Sequence, residues 1–539
     1  MDSGTRTALI SVFRKGGITD FAGELVSLGW QILASGGTCR HLHEAGIEVK
    51  DVADLVGGGA ILGHRVVTLS REVYAGLLVR DCKEDRDELQ RLGIPRIDLV
   101  CCDFYPLSDE IAKPGATVES VTEKTDIGGP TMVRAAAKGG RIVICDPADR
   151  QVVLDRLRQQ GDISSELRQN LRAKAEYLVA RYCLDSARFH SQGLYDGLIG
   201  RQVAKTAYGE NKWQEQAALY STESDNPLAL PRFQTVAGST PSYNNWVDVE
   251  RLLQTITHIA AGWNLNYCKV PCIAVAVKHG NACGAAIAPP EDPKVAIEKM
   301  VMGDPRAIFG GLVMTNFPID EELAEVLHTC GLQSGRRIYD GIIAPSFDEK
   351  AITMLSRKKD KCRFIVNPAL GSLSILECLD AKQRFRPVRG GFLVQPNYTF
   401  ILNLSDKEMQ IFGDRGQEVE PNLLLAWAVG STSNSNTITL VKDLQLIGNG
   451  VAQQDRVGAA QLAQFRALGS HHDTMGAVAY SDSFFPFPDG PAALIAAGVR
   501  AIFATSGSIN DEKTKAICQA AGVTLYMLPD AVARGFFGH

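Results

Sequence analysis

The 539-residue sequence lacks the long apolar run and the basic tract that mark membrane and nucleic-acid-binding proteins. The apolar stretch near residues 494–504 is broken by Arg500 before it reaches the roughly 20 residues that a membrane span requires. The 56 basic and 61 acidic side chains leave a net charge of −5, and no run of Lys or Arg forms a phosphate-tracking face. We therefore expect neither a membrane nor a nucleic acid as a partner.

Cysteine is sparse, and so is any pattern that would hold a metal ion. Thirteen cysteines are too few for a disulfide scaffold in so long a chain, and no two form a CxxC pair. Cys268, Cys272, His279 and Cys283 come nearest to a metal cluster, but their spacing is not that of regular zinc sites. We predict buried structural thiols and no metal. The opening MDSGTRT has no apolar signal segment, which favours a cytoplasmic protein.

Several enzyme signatures are also missing. The sequence has no GxxxxGK[ST] loop for ATP and no GxGxxG that opens a helix for a dinucleotide. It has no HxE with PCxxC, which excludes a zinc deaminase, and no GxSxG nucleophile elbow. The chemistry must therefore come from other residue patterns.

The length exceeds the roughly 250 to 300 residues at which one core stops growing, so we predict two domains, 1–200 and 201–539. The first alternates apolar strands such as TALISVF, WQILAS, IDLVCCDFY and RIVICDP with helical segments, which is typical of βαβ units. One helix is predicted to begin at Gly128 and to bury Val133, Ala136 and Ala137. The second domain continues this α/β pattern with strands such as CIAVAVKH, GAVAYSD and RAIFATS.

A glycine turn at Ser35, Gly36, Gly37 and Thr38 joins a predicted strand to a predicted helix. Its N–H groups and hydroxyls would converge on an anion at the positive end of the helix, which indicates a phosphate site. Lys15 and Arg65 would add positive charge at the same sheet edge. The alternative is a structural turn in which Thr38 caps the helix.

Lys278 and His279 end an apolar strand, where a sheet delivers side chains to a cleft. A cation beside an imidazole suits proton transfer. The alternative is an ordinary polar pair on the surface. The YGEN, SYNN, FGG and SNSN segments, at residues 208–211, 242–245, 309–311 and 433–436, are each interpreted as loops. The aromatic run Phe484-Phe485-Pro486-Phe487 is interpreted as core, or as a shelf that ends at Asp489 and suits a flat heterocycle.

In this order, the motifs resemble those of the bifunctional AICAR transformylase / IMP cyclohydrolase family over essentially the whole chain. The resemblance rests on LISV, ASGGT, DFYPL, TDIGGPTMVRAAAK, YGEN, SYNN, KHGNACG, FGG, IIAP, RGGFLVQ, SNTI, QQDRV, SDSFFPFPDG, SGSIND and the terminal histidine. It implies a doubly wound, methylglyoxal-synthase-like N-terminal domain for ring closure. It also implies a C-terminal transformylase domain of two cytidine-deaminase-like halves, and a homodimer.

The implied reaction transfers the formyl group of 10-formyltetrahydrofolate to AICAR, and the product FAICAR then loses water to give IMP. The resemblance makes His279 the proton acceptor, Lys278 its electrostatic partner and Asn436 a hydrogen-bonding group at the formyl. It makes Ser35, Gly36, Gly37, Thr38, Lys15 and Arg65 the phosphate grip of the cyclohydrolase. The resemblance also implies reaction-centre roles there for Tyr105, Asp126 and Lys138, and pocket-lining roles in the transformylase for Tyr208, Asn245, Phe309, Gly310, Arg456, Phe484, Asp489 and His539.

The chain departs from the family pattern at several positions. Val67 and Ser70 replace a lysine and a histidine, and Phe13 and Gly16 replace two hydroxyl residues of the first loop. Ala207 and Trp213 replace an arginine and a histidine. Two alternatives therefore stay open. One is a transformylase whose first domain no longer closes the ring, and the other is a non-catalytic paralogue that binds a nucleotide.

Overall fold

The computed structural model describes residues 5–62, 65–374 and 378–538. They divide into two compact units, Met1–Ile199 and Gly200–His539. Among the described helices, none combines the length and the low charge needed to cross a bilayer.

The first unit is built on a five-stranded sheet in the order β3-β2-β1-β4-β5, with every pairing parallel. Its strands are β1 Thr7–Ser11, β2 Gln31–Ala34, β3 Lys50–Asp51, β4 Leu99–Cys102 and β5 Ile142–Ile144. Its helices are α1 Ile18–Ser27, α2 Gly36–Glu44, α3 Val52–Val56, α4 Arg71–Leu78, α5 Lys83–Leu92, α6 Leu107–Ile111, α7 Val118–Lys124, α8 Gly128–Lys138, α9 Asp149–Gln160 and α10 Ser165–His190.

Helices cover both faces of this sheet. Ala8 and Ile10 of β1 face one core with α1 and α9, whereas Leu9 faces a second core with α4, α8 and α10. The prediction for α8 is confirmed, because the helix begins at Gly128 and buries Val133, Ala136 and Ala137. The strand order reverses between β1 and β4, and such a switch point opens a crevice at the carboxyl ends of the strands.

The second unit is built on a twelve-stranded mixed sheet. Its strands are β6 Arg201–Lys205, β7 Ala218–Ser221, β8 Gln234–Ala237, β9 Cys272–Lys278, β10 Asn281–Ala288, β11 Leu312–Thr315, β12 Gly341–Ala344, β13 Arg363–Val366, β14 Gln383–Val388, β15 Gly391–Pro396, β16 Gln410–Phe412, β17 Ile438–Lys442, β18 Gln445–Gly450, β19 Val478–Ser481, β20 Ala501–Ser506 and β21 Thr524–Pro529. Its helices are α11 Tyr243–Tyr267, α12 Pro293–Gly303, α13 Glu321–Thr329, α14 Glu349–Leu355, α15 Glu420–Gly430, α16 Arg456–Gly469, α17 Asp489–Ala496, α18 Asp511–Ala520 and α19 Asp530–Ala533. The pairs β6–β7 and β14–β15 stand apart as two-stranded sheets.

The strand order of the large sheet is symmetric about its centre. It runs β16-β21-β20-β19-β17-β18 and then β10-β9-β11-β12-β13-β8, so each strand of one half has a counterpart in the other. The hairpin β9–β10 corresponds to β17–β18, and each hairpin carries a bulge near the start of its second strand. The unit is therefore two halves with one topology, joined side by side between β18 and β10.

Successive side chains of each strand point to opposite faces of the large sheet, so the sheet has a separate core on each face. Ile273, Val275 and Val277 face a core shared with α11 and α15, whereas Ala274 and Ala276 face α12. The second half repeats this with α16 packed behind β17 and β18. The α/β class predicted from the sequence is confirmed in both units.

Candidate functional site

The hairpin β9–β10 holds His279 at its tip. His279 and Gly280 form the two-residue turn, across which Lys278 pairs with Asn281. Their φ angles are 53° and 72°, and two positive values are typical of a type I′ turn. Glycine adopts this conformation freely, whereas histidine is strained there by roughly 1 to 3 kcal/mol. The hairpin therefore holds His279 in a strained conformation, with its side chain exposed at the end of a buried strand.

Lys278 reaches from the same turn to the FGG segment. Its Nζ donates to the carbonyl oxygen of Phe309 at 2.6 Å. Gly310 has a φ of 73°, and its N–H donates to Ile338 O at 2.8 Å, which fixes the FGG loop. The structure therefore brings Lys278, Phe309 and Gly310 together.

A pair of asparagines joins this hairpin to the loop that carries Asn436. Asn281 accepts a hydrogen bond from the N–H of Asn434 at 3.1 Å through its Oδ1. Asn436 is held two residues further on, where its Nδ2 donates to Gln453 O at 2.9 Å. An amide group carries two N–H donors, so one N–H of Asn436 is left for a ligand. The SNSN segment is a loop, as predicted.

Arg456 begins α16 and approaches the same loop through a buried carboxylate. Its Nη2 lies 3.1 Å from Asp482 Oδ1, and Asp482 Oδ2 accepts from the Ser435 hydroxyl at 2.6 Å. The Asp482 side chain is 0% exposed. Burial raises the pKa of Asp482, while the charge of Arg456 and the bond from Ser435 oppose that rise. The Nε of Arg456 is buried and has no hydrogen-bond partner among the described residues, which leaves a donor for a bound anion or carbonyl.

A cavity of about 380 Å³ lies beside the Lys278–His279 turn. An ion pair at 3.7 Å between Asp304 and Arg466 forms part of its wall. Burial raises the pKa of the Cys283 thiol to about 12, so this wall residue stays a neutral thiol. The lining residues are Lys278, His279, Asn281, Ala282, Cys283, Gly303, Asp304, Ala307, Leu446, Ile447, Gly448, Asn449, Val451 and Arg466.

The thiols near this hairpin are only partly as predicted. Cys272 is buried and Cys283 half-buried, but Cys268 is exposed, so the prediction of a buried thiol is wrong there. Cys268 lies just after α11, where the helix ends at the surface. Within residues 5–62, 65–374 and 378–538, no group of three or more His, Cys, Asp or Glu side chains is placed to hold a metal ion.

The prediction of a loop at SYNN is wrong, because the segment begins helix α11. Ser242 is the N-cap and Asn245 is the third helical residue, and their side chains and backbone N–H groups form a reciprocal capping box. Asn245 uses its Oδ1 for this cap, with Ser242 N at 2.9 Å. Its amide nitrogen is not used by the cap. Half-buried Tyr208 is tied to the same helix end, since its carbonyl accepts from Tyr243 N at 3.0 Å.

The aromatic run at 484–487 is not a continuous core segment. Phe485 is buried, Phe484 is half-buried and Phe487 is exposed. Asp489 is exposed at the start of α17, where its carboxylate accepts from Gly490 N at 2.8 Å. The Arg534 guanidinium lies 5.9 Å from the Phe484 ring, which supports an aromatic shelf with a cation beside it. The predicted pocket residue His539 lies outside the described residues.

In the first unit, the Ser35–Thr38 turn meets the loop after β1. Ser35 Oγ lies 2.8 Å from Ser11 Oγ, and Thr38 Oγ1 accepts from Lys15 Nζ at 2.9 Å. Burial lowers the pKa of Lys15, and the charge of Asp103 partly opposes this. Lys15 is therefore close to the start of α2, as the phosphate prediction requires.

The alternative in which Thr38 caps the helix is wrong. Ser35 is the N-cap of α2, and its side chain makes no capping hydrogen bond within the described chain. Gly36 has a φ of 40°, a left-handed conformation that glycine adopts freely and that turns the chain into the helix. Arg65 instead pairs with Glu123 at 2.6 Å, with both side chains more than 60% exposed.

Tyr105 and Asp126 lie together at the crevice, but Lys138 does not. Burial raises the pKa of Asp126, and hydrogen bonds from Gly129 and Tyr105 N–H groups oppose the rise. Burial and the charge of Asp126 also raise the pKa of Tyr105. Asp126 precedes α8, whereas Lys138 is exposed at its far end, and an 11-residue helix spans about 16 Å. Lys138 therefore lies apart from Tyr105 and Asp126 within this chain, and its role at the reaction centre stays a prediction.

The residues that depart from the family pattern have structural roles of their own. Val67 packs at the edge of the core with α4 and α8, so an apolar side chain stands at that position. Ser70 caps α4, with Val73 N donating to its Oγ at 3.2 Å. Phe13 lies with its ring 5.3 Å from that of Tyr105. The carbonyl oxygen of Gly16 accepts a hydrogen bond from Arg150 Nη1 at 2.8 Å.

Sequence reasoning missed the residues that connect the motifs. Asn281 lies inside the KHGNACG motif, and its place in that motif could have identified it as a site residue. Asp482 lies inside the SDSFFPFPDG motif, just before the aromatic run, and could have been identified in the same way. Asp248 lies on α11 and belongs to none of the motifs, so only the fold reveals its contact with the β9–β10 turn.

Two family profiles match the chain. The profile described as AICARFT/IMPCHase bienzyme matches residues 136–466, and that of the MGS-like domain matches residues 17–131. The bifunctional purine biosynthesis protein PurH of Anoxybacillus flavithermus is 37% identical over 524 residues, which cover 94% of this chain and 95% of that protein. The protein of the same name from Persephonella marina is 34% identical over 537 residues, which cover 96% and 98%. A solved chain described as "Crystal structure of ForH" is 37% identical, with a TM-score of 0.33, and the match covers 35% of this chain and 99% of that one.

Proposed function

Because the chain belongs to the AICARFT/IMPCHase bienzyme family, we propose that it transfers a formyl group from 10-formyltetrahydrofolate to AICAR and then closes FAICAR to IMP. The formyl transfer takes place in the second unit, Gly200–His539, and the ring closure in the first, Met1–Ile199. The observation that carries the proposal is the link from the Lys278–His279 turn to the Asn436 loop through Asn281 and Asn434.

The formyl-transfer step needs a base because the amino group of AICAR is conjugated to a carboxamide and is a poor nucleophile. His279 accepts the proton of the attacking amine. Asn436 donates its remaining N–H to the formyl oxygen as negative charge develops there, and Lys278 stabilises that charge. Arg456, with its buried Nε, and the Phe484 shelf supply contacts to the two flat substrates.

Ring closure depends mainly on positioning of the substrate, since both reacting groups belong to one molecule. The Ser35–Thr38 turn and Lys15 hold the phosphate, and Asp126 and Tyr105 lie at the crevice beside it. Val67 stands where the family pattern has a lysine. The alternative of a transformylase with an inactive first unit rests on that residue.

Supplying FAICAR directly tests ring closure without formyl transfer. Formation of IMP, followed by its absorbance or mass, supports an active first unit. Unchanged FAICAR favours the transformylase-only alternative. The non-catalytic alternative is favoured if the protein binds AICAR but yields no product from AICAR and 10-formyltetrahydrofolate.

The active protein is a cytoplasmic homodimer. Support for self-association comes from the β14–β15 sheet, which stands apart from the large sheet and exposes Val388, Phe392, Leu393 and Val394. An isolated two-stranded sheet is at best marginally stable in water, and exposed apolar side chains of this kind mark interfaces.

A further inference from the structure

The turn that carries His279 is anchored by the carboxylate of Asp248, which lies on helix α11. The N–H of Gly280 donates to Asp248 Oδ1 at 2.7 Å. The backbone N–H of His279 also interacts with this carboxylate. Asp248 is half-buried, and it does not line the cavity beside the turn. Its carboxylate therefore contacts the turn through the backbone N–H groups of His279 and Gly280.

The other half of the unit contains the same anchor with a neutral side chain. Asp443 and Leu444 form the turn between β17 and β18, with φ angles of 52° and 60°. The N–H of Leu444, at the position equivalent to Gly280, donates to Asn422 Oδ1 at 2.7 Å. Asn422 lies on α15, the helix equivalent to α11. An amide oxygen is thus sufficient to anchor such a turn.

The difference between the two anchors lies in their charge. Burial raises the pKa of Asp248, while the two N–H donors and the charge of His279 hold it lower, as does Arg251. A half-buried carboxylate has a desolvation cost that an amide avoids, so an anchor alone does not require one. Of these two turns, the one that carries an imidazole has the charged anchor.

We propose that Asp248 is a positioning residue for His279, which fixes the turn and stabilises the imidazolium that forms when His279 accepts the proton of the substrate amine. This rests on the formyl-transfer function proposed above. The negative charge of the carboxylate favours the charged product of the proton transfer without touching the substrate. The equivalent Asn422 fixes the Asp443–Leu444 turn, which carries no imidazole.

The test compares Asp248→Asn, Asp248→Ala and Asn422→Ala in the full chain. Asp248→Asn replaces the carboxylate with an amide, whose oxygen is sufficient for the anchor in the other half, so the fold should be unchanged. The KM for AICAR should stay within about twofold, while kcat for formyl transfer falls about tenfold or more. Asp248→Ala should lose at least as much. Asn422→Ala removes the matching anchor and should leave kcat within about twofold.

Three outcomes decide the matter. The expected split between kcat and KM in Asp248→Asn, together with normal kcat in Asn422→Ala, supports the proposal. Wild-type kcat in Asp248→Asn, or an equal loss in Asn422→Ala, overturns it and leaves the transformylase function intact. Absence of formyl transfer in the wild-type protein overturns the proposed function, and this inference with it. Circular dichroism of each variant identifies a loss that is due to unfolding.

Discussion

At the scale of single residues, His279 is the side chain on which formyl transfer depends. Replacing it with alanine should reduce kcat for formyl transfer by roughly 100-fold or more, because the amine then loses its proton acceptor. Ring closure from added FAICAR should be unchanged. Both rates are measured by following product mass.

His471 offers a matched control, since it is also an exposed histidine with a positive φ, here 63°. His471→Ala should keep formyl transfer within about twofold. Equal losses in the two variants would show that the effect comes from turn strain and not from the imidazole of His279.

The Arg456–Asp482 pair should govern how stability depends on pH. Arg456→Ala removes the charge that offsets the burial of Asp482, and breaking such a pair costs about 3 kcal/mol or more in free energy of unfolding. The folded-state pKa of Asp482 is already raised and rises further in the variant. Since a raised carboxyl pKa disfavours the ionised folded state, the deficit should widen as pH rises from about 4 to 7.

Urea unfolding of both proteins across this pH range checks the expectation. Lys350→Ala breaks an ion pair at 2.7 Å in which both side chains are more than half exposed, and because solvent screens such a pair the change should have little effect on the free energy of unfolding at any pH. A pH-independent loss in Arg456→Ala would contradict the assignment of a buried carboxylate to this pair.

At the scale of elements, the two halves of the second unit depend on the same close helix–strand contact. A Cβ on Gly284 would lie 2.5 Å from Met300 O of α12, and a Cβ on Gly448 would lie 2.2 Å from Ala463 O of α16. Each Gly→Ala change should cost about 1 to 3 kcal/mol, because backbone atoms cannot move aside as a flexible side chain does. Thermal unfolding measures the loss.

Gly469, the last residue of α16, serves as the control, because a Cβ there would meet no atom of the described residues within 4 Å. Gly469→Ala should be neutral or slightly stabilising. If one of the two buried changes were as harmless as this control, the halves would not share the contact that their topology implies.

The elements were largely predictable, and their connections were not. Apolar periodicity predicted α8 and seven of the strands, because the residues that decide those elements are near neighbours. The predicted strands are β1, β2, β4, β5, β9, β19 and β20. The loop assignment at SYNN failed because a polar segment can also cap a helix, and the capping box between Ser242 and Asn245 is recognisable only once the following residues are taken as helical. The contact of Asp248 with Gly280 joins positions 32 residues apart, which no local pattern indicates.

At the scale of the whole molecule, the exposed β14–β15 sheet predicts self-association. Leu393 is 60% exposed in the single chain. If a second copy covers it, a charged side chain at this position should weaken the association. Leu393→Glu should shift the protein from dimer to monomer in analytical ultracentrifugation. Leu194→Glu, at a leucine that is 78% exposed in the first unit, is the matched control and should leave the dimer intact.

Formyl transfer followed by ring closure is tested by the mass of the purine product after the purified protein is incubated with AICAR and 10-formyltetrahydrofolate. FAICAR and IMP differ by one water, so a single spectrum distinguishes one step from two. IMP should accumulate, with FAICAR as a transient. FAICAR that accumulates without IMP would contradict an active first unit, and a spectrum that shows only AICAR would contradict the proposed function as a whole.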